Sequence, residues 1–178
     1  MPKEANLERT DTGLVPSDDG WFVANLADIG WARVEGGGIW CSFEAPSSRS
    51  PLLGIGVHVL WPGEAPGKYH AETNQEGFLV LSGECLAIVE GEERRMGQWD
   101  YFHCPPGTAH ITVGAGDGPC AILMVGTRAP DSAIHYPFEP AAAAYGASVD
   151  VATDVPKEAY AGRPPIEPAR SPWPLAPT

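Results

Sequence analysis

No apolar run in the 178 residues approaches the roughly 20 that a membrane-crossing helix needs. Basic residues are few: 11 Lys and Arg, scattered, against 23 Asp and Glu, for a net charge of −12. Nucleic acid binding requires a concentrated cationic face to displace counterions from phosphates, so neither nucleic acid nor an anionic membrane is an expected partner. The first 13 residues are polar and contain no apolar h-region, so no signal peptide is read there and a cytoplasmic location is expected. The four cysteines, Cys41, Cys85, Cys104 and Cys120, contain no C-x-x-C pair. They read as reduced, buried thiols rather than a disulfide framework. Glycine-rich phosphate loops and a Gly-x-Ser-x-Gly elbow are missing too, which leaves serine-hydrolase chemistry without support.

Glycine and proline, by contrast, are abundant (21 and 19), as in chains built of short strands and many turns. β-rich runs recur at Trp21–Leu26, Ile39–Phe43, Gly54–Trp61, Gly77–Leu81, Cys85–Glu90, Trp99–Cys104, His110–Val113 and Cys120–Val125. Pro62-Gly63, Pro66-Gly67, Ser82-Gly83, Gly91-Glu92 and Pro106-Gly107 separate several of them. Short strands at about ten-residue spacing predict an all-β sandwich or barrel. Gly77–Leu81 and Ala121–Val125 are apolar on both faces, so each needs cover on its second face. The candidates are the N-terminal segment with Trp21, Trp31 and Trp40, or a partner, and a homodimer is the expected one.

The organisation read from composition is a polar, extended segment 1–18, a barrel 19–128 with its motif core at 54–127, and an extension 129–178. Within that extension, Pro140–Gly146 and Pro156–Ala161 predict short helices. A proline-rich tail follows from Gly162, with Trp173 as a candidate anchor.

Chemistry concentrates in two stretches, Tyr69–Glu76 and Asp100–His110. Residues two apart on a strand share a face, so His70 and Glu72 point the same way. Glu76 opens the next apolar strand, and the rigid Pro105-Pro106-Gly107 turn delivers His110 to another. Four lone-pair groups can then converge inside one barrel. Imidazole with carboxylate, and no thiolate, suits zinc, iron, manganese or nickel.

These residues resemble the two motifs of the cupin superfamily. The first reads His70-x-Glu72, three residues, Glu76, six residues, Gly83; the second reads Trp99, five residues, Pro105-x-Gly107, two residues, His110. The resemblance spans about Gly54 to Thr127. It implies a double-stranded β-helix, often dimeric, with the metal inside the barrel mouth; the N-terminal strand extension, short C-terminal helix and Pro-rich tail read from the residues lie outside it. It carries over metal-ligand roles for His70, Glu76 and His110, around one divalent ion (zinc, iron or manganese). Three departures concern turns: Glu64, Trp99 and Gly114 stand where the motifs usually have glycine, glycine and asparagine. The fourth concerns chemistry, because Glu72 replaces the usual second histidine. Either Glu72 ligates, giving a His2Glu2 set, or it swings away and leaves a two-histidine, one-carboxylate triad with open positions.

Secondary candidates are His58, Tyr69 and Tyr101 as pocket lining. His103 reads as packing, His135 as structural, and Glu90–Arg95 as a solvated hairpin. The functional expectation is a metal-dependent enzyme of dioxygenase, isomerase or decarboxylase type acting on a small polar or anionic molecule. The alternative is a non-catalytic, metal-dependent protein that binds or senses a metabolite.

Overall fold

The strands predicted for residues 39–125 form, and further ones flank them. A computed structural model describes residues 1, 3–44 and 49–175. In chain order the elements begin with β1 (Leu7–Thr10), β2 (Gly13–Pro16), β3 (Trp31–Arg33), β4 (Ile39–Ser42) and β5 (Leu53–Leu60). The centre holds β6 (Ala71–Glu72), β7 (Glu76–Ser82), β8 (Glu84–Val89), β9 (Glu92–Met96), β10 (Tyr101–Cys104), β11 (His110–Ala115) and β12 (Cys120–Thr127). The extension adds β13 (Ile134–His135), α1 (Pro140–Ala143), α2 (Pro156–Ala159) and β14 (Glu167–Ala169).

Two antiparallel sheets make an all-β jelly roll. The larger has the order β10-β7-β12-β5-β4-β3-β14, and the smaller β11-β8-β9. Period-2 alternation sorts their side chains into three buried layers. Leu60, Phe78, Val80 and Ile122 meet Cys85, Ala87 and Met96 between the sheets. Leu86, Ile88, Ile111 and Val113 point outward from the small sheet and are covered by Tyr69 and by Ala142 of α1. Val57, Val59 and Ala121 point outward from the large sheet beneath Ile29 and Trp31, with Leu81, Leu123 and Trp173 packed against them. The chain itself thus covers part of the second face of the two-faced apolar strands, while Leu79, Leu81 and Leu123 stay half-buried.

Several expectations change. The segment 1–18 is not simply extended: β1 and β2 form a hairpin across Thr10 and Gly13. Trp21–Leu26 is not a strand, and Trp21 makes only an isolated bridge with Glu4. The tail is anchored, since β14 pairs with β3 and Trp173 joins the outer layer. At the β8–β9 turn Glu90 and Gly91 both have positive φ (50° and 79°), the backbone of a tight two-residue hairpin. Glu90 is not merely solvated, because its Oε1 accepts from Ala109 N at 2.7 Å, close to His110.

Candidate metal centre

His70 and His110 face each other as a backbone pair. His70 N donates to His110 O (3.1 Å) and His110 N to His70 O (2.8 Å), which puts both imidazoles on one side with ring centroids 5.0 Å apart. Glu76 arrives from the start of β7, between Cys104 of β10 and Gly126 of β12. The connection that aims it is pinned: Thr73 N donates to Ala133 O, Gln75 N to Thr127 Oγ1, and Ala129 N to Asn74 Oδ1. Ligand atoms of His70, Glu76 and His110 all lie within 4.8 Å of one another.

Both histidines are oriented by the same device. His70 Nδ1 donates to Lys68 O at 2.7 Å, and His110 Nδ1 to Thr108 O at 3.1 Å with Cys104 Sγ at 3.3 Å. In each case a backbone carbonyl two residues back holds Nδ1–H, so Nε2 is the nitrogen left for a ligand. Phe78 and Phe102 pack edge-on against the His110 ring at 5.2 and 5.7 Å and fix its plane.

The charges are strongly interdependent. Burial alone lowers the His110 pKa, but its contacts with Cys104 and Glu76 outweigh burial and lift it to about 10. Burial raises Glu76, and His110 reverses that, leaving the Glu76 carboxyl below the usual range. His70 is lowered by burial and then by the neighbouring His110. Burial and the adjacent Glu76 carboxyl push Glu72 up to about 7. Glu72 therefore sits beside Glu76 but outside the group of three, on the short strand that pairs with β13.

Do these residues suit a metal ion? Glu76 Oε2 is buried without a hydrogen-bond partner, although His110 Nε2 stands 3.1 Å away, off the hydrogen-bonding direction. Without an ion the charge of His110 is what offsets the burial of that oxygen, and a cation held by two oriented Nε2 atoms would give it a direct partner. The donor set fits.

The group lines a cavity of about 330 Å³ between the sheets. Its walls include Trp40, His58, Phe78, Thr112, Met124 and Tyr160. Trp40 stacks on His58 at 6.1 Å, and burial, followed by the charge of Arg163, lowers His58 to about 4. The extension reaches the site as well: Tyr136 lies 5.9 Å from His70, and Tyr160 meets Tyr136 edge-on at 5.8 Å.

Of the three residues expected to line a pocket, His58 does so. Tyr69 does not: it is buried in the layer outside the small sheet, where its hydroxyl accepts from Gly91 N. Tyr101 is not in this cavity either, because on β10 the inward positions belong to Phe102 and Cys104; it is 59% exposed and lines a separate pocket beside Met96 and Phe102. His103 shares the outward face of Tyr101, and His135 pairs with Asp154 on the surface. Thr112 was missed, although it lies two residues beyond His110 on one strand and so shares its face. Tyr136 and Tyr160 carried no local signal, since long-range docking of the extension brings them in.

Residues 56–126 match the family described as Cupin domain. This segment is a cupin domain. Several solved structures are similar, and the first of those below supports the fold. A sugar phosphate isomerase of the cupin superfamily from Silicibacter pomeroyi superimposes with a TM-score of 0.51 at 22% identity, covering 79% of this chain and 81% of that one. An Acidithiobacillus ferrooxidans protein assigned as a sugar phosphate isomerase gives 0.48 at 21%, over 55% of this chain and 65% of its own, less than two thirds of that chain's length. A polyketide cyclase from Streptomyces resistomycificus gives 0.46 at 15%, over 54% and 69%. No curated protein matches the sequence. The matched segment ends at Gly126, so Tyr136 beside His70 and Tyr160 in the cavity wall both lie outside it.

Proposed function

We propose that this cupin binds one divalent metal ion through His70, Glu76 and His110 and uses it to act on a small oxygen-bearing molecule held in the cavity. The observation that carries the reading is the pair of imidazoles with Nδ1 tied to backbone carbonyls, gathered with the buried Glu76 carboxylate so that ligand atoms of all three lie within 4.8 Å of one another. When bound, such an ion supplies Lewis acidity and open coordination positions. The chain's own residues do the rest. Phe78 and Phe102 hold the His110 ring, Tyr136 and Tyr160 limit water from the extension side, and Glu72 stands ready to hold or release a proton near neutral pH. Three ligands rather than four leave room for a substrate oxygen, which favours chemistry over purely structural metal binding. The likeness to the S. pomeroyi isomerase supports the fold and does not choose the reaction.

The test is to load the protein separately with zinc, manganese and iron(II), then survey oxygen uptake and isomerisation or decarboxylation of small hydroxy-carbonyl compounds. Turnover that disappears on chelation and returns with one metal supports the reading. Stoichiometric metal with no turnover across the survey moves the protein to the binding class.

A further inference from the structure

Among the described residues, four buried side-chain polar atoms lack a hydrogen-bond partner, and three of them belong to this one cavity: Glu76 Oε2, His58 Nδ1 and Thr112 Oγ1. The metal reading accounts for the first only. His58 comes from β5 of the large sheet and Thr112 from β11 of the small one, so the two residues line the cavity from its two walls. Thr112 is only 2% exposed. Native structures rarely leave such atoms unpaired, and a ligand that supplies the missing partner is the economical explanation.

The cavity also says what that ligand is not. The one guanidinium among the described lining residues, Arg128, is already committed. It donates to both Glu44 oxygens, at 2.6 and 3.0 Å, and to Ser50 O at 2.8 Å. No lysine is among the described residues that line the cavity, and nearby Arg163 donates to Pro66 O while stacked 4.9 Å over Tyr160. Burial keeps His58 uncharged at neutral pH. A phosphate or sulfate away from the metal would find no unpaired guanidinium or ammonium among the described residues that line the cavity, whereas hydroxyl and carbonyl groups match a threonine hydroxyl and a neutral imidazole.

We propose that His58 and Thr112 are substrate-positioning residues that hydrogen-bond a neutral hydroxyl or carbonyl group, and that the cavity takes an uncharged polyol or hydroxy-carbonyl compound rather than its phosphate ester. The inference rests on the metal reading for what holds the other end of the molecule.

The experiment uses the full-length, metal-loaded protein with dihydroxyacetone and dihydroxyacetone phosphate, two probes that differ only in the phosphoryl group. Wild type, Thr112→Val and His58→Phe are compared by dissociation constant from ligand-observed NMR, by metal content, and by melting temperature without probe. Dihydroxyacetone is expected to bind, each substitution to weaken it about five- to tenfold with metal retained, and the phosphate ester to bind no more tightly. Thr112→Val should leave the probe-free melting temperature unchanged or raised, because no internal hydrogen bond is lost. Tenfold tighter binding of the phosphate ester, or no binding of dihydroxyacetone, overturns the ligand class. Unchanged affinity in both variants with metal in place, or a lowered melting temperature for Thr112→Val, overturns the role of the two residues. Wild-type protein that takes up no metal sinks the metal reading instead, and the variants' probe affinities still report on His58 and Thr112.

Discussion

At the scale of single residues, the proton on His110 Nε2 competes with the metal. With a pKa near 10, His110 carries that proton at neutral pH in the metal-free protein, while Nδ1–H stays with Thr108 O. Metal binding at pH 7 should therefore release at least one proton per ion, measured by calorimetry in two buffers of different ionisation enthalpy. No buffer dependence would contradict this account of His110. The same pair sets a pH window for the metal-free fold. The raised pKa of His110 contributes stability that is complete below its ordinary value of 6.5 and lost as pH rises through about 10. The lowered pKa of Glu76 contributes stability that is present above 4.5 and lost as pH falls through its depressed value. Metal-free protein should thus gain most from the pair between these two ordinary values, and urea midpoints across pH check it. Glu72 and Glu76, four residues apart, should separate cleanly. Glu76→Gln is expected to reduce metal affinity by at least about tenfold, whereas Glu72→Gln retains stoichiometric metal, because only Glu76 belongs to the triad within 4.8 Å. Equal loss in both variants would make Glu72 a ligand.

At the scale of elements, the places where the motifs depart from their usual residues have local explanations. Trp99 stands where glycine is usual and adopts φ 74°, the left-handed backbone that glycine tolerates and other residues enter at about 1–2 kcal/mol. It is also 68% exposed, so removing the indole loses little burial. Trp99→Gly should keep or raise the thermal midpoint and Trp99→Val should lower it. A fall with glycine would show that the indole is packed in a way its exposure does not suggest. Gly114, where asparagine is usual, cannot carry a side chain here: a Cβ would lie 2.2 Å from Trp61 O. The central strands and the triad were legible because two-residue alternation and motif spacing are local signals. Tyr69 and Tyr101 misled because their neighbours, not their own character, decide which face they take: Phe102 and Cys104 hold the inward positions of β10. Short strands such as Trp31–Arg33 and Glu167–Ala169 had no pattern of their own, and form because distant partners complete their hydrogen bonds.

At the scale of the molecule, the flanks act as cover for the cupin core. Ile29, Trp31 and Trp173 pack on the outer face of the large sheet, and Tyr160 lines the cavity with Tyr136 packed against it and against His70. Trp173→Ala should lower stability by about 1–3 kcal/mol through lost apolar burial, read from the urea midpoint, and leave metal content unchanged. A metal held in the barrel also couples to global stability. At a free concentration of 100 times its dissociation constant it adds about 2.7 kcal/mol, which for a chain of this size corresponds to roughly 5–10 °C in melting temperature. The central claim is tested most directly by elemental analysis of the reconstituted full-length protein beside His110→Ala. The account predicts about one divalent ion per wild-type chain and a large loss in the variant. A wild type without metal, or a variant that keeps a full complement, would contradict it.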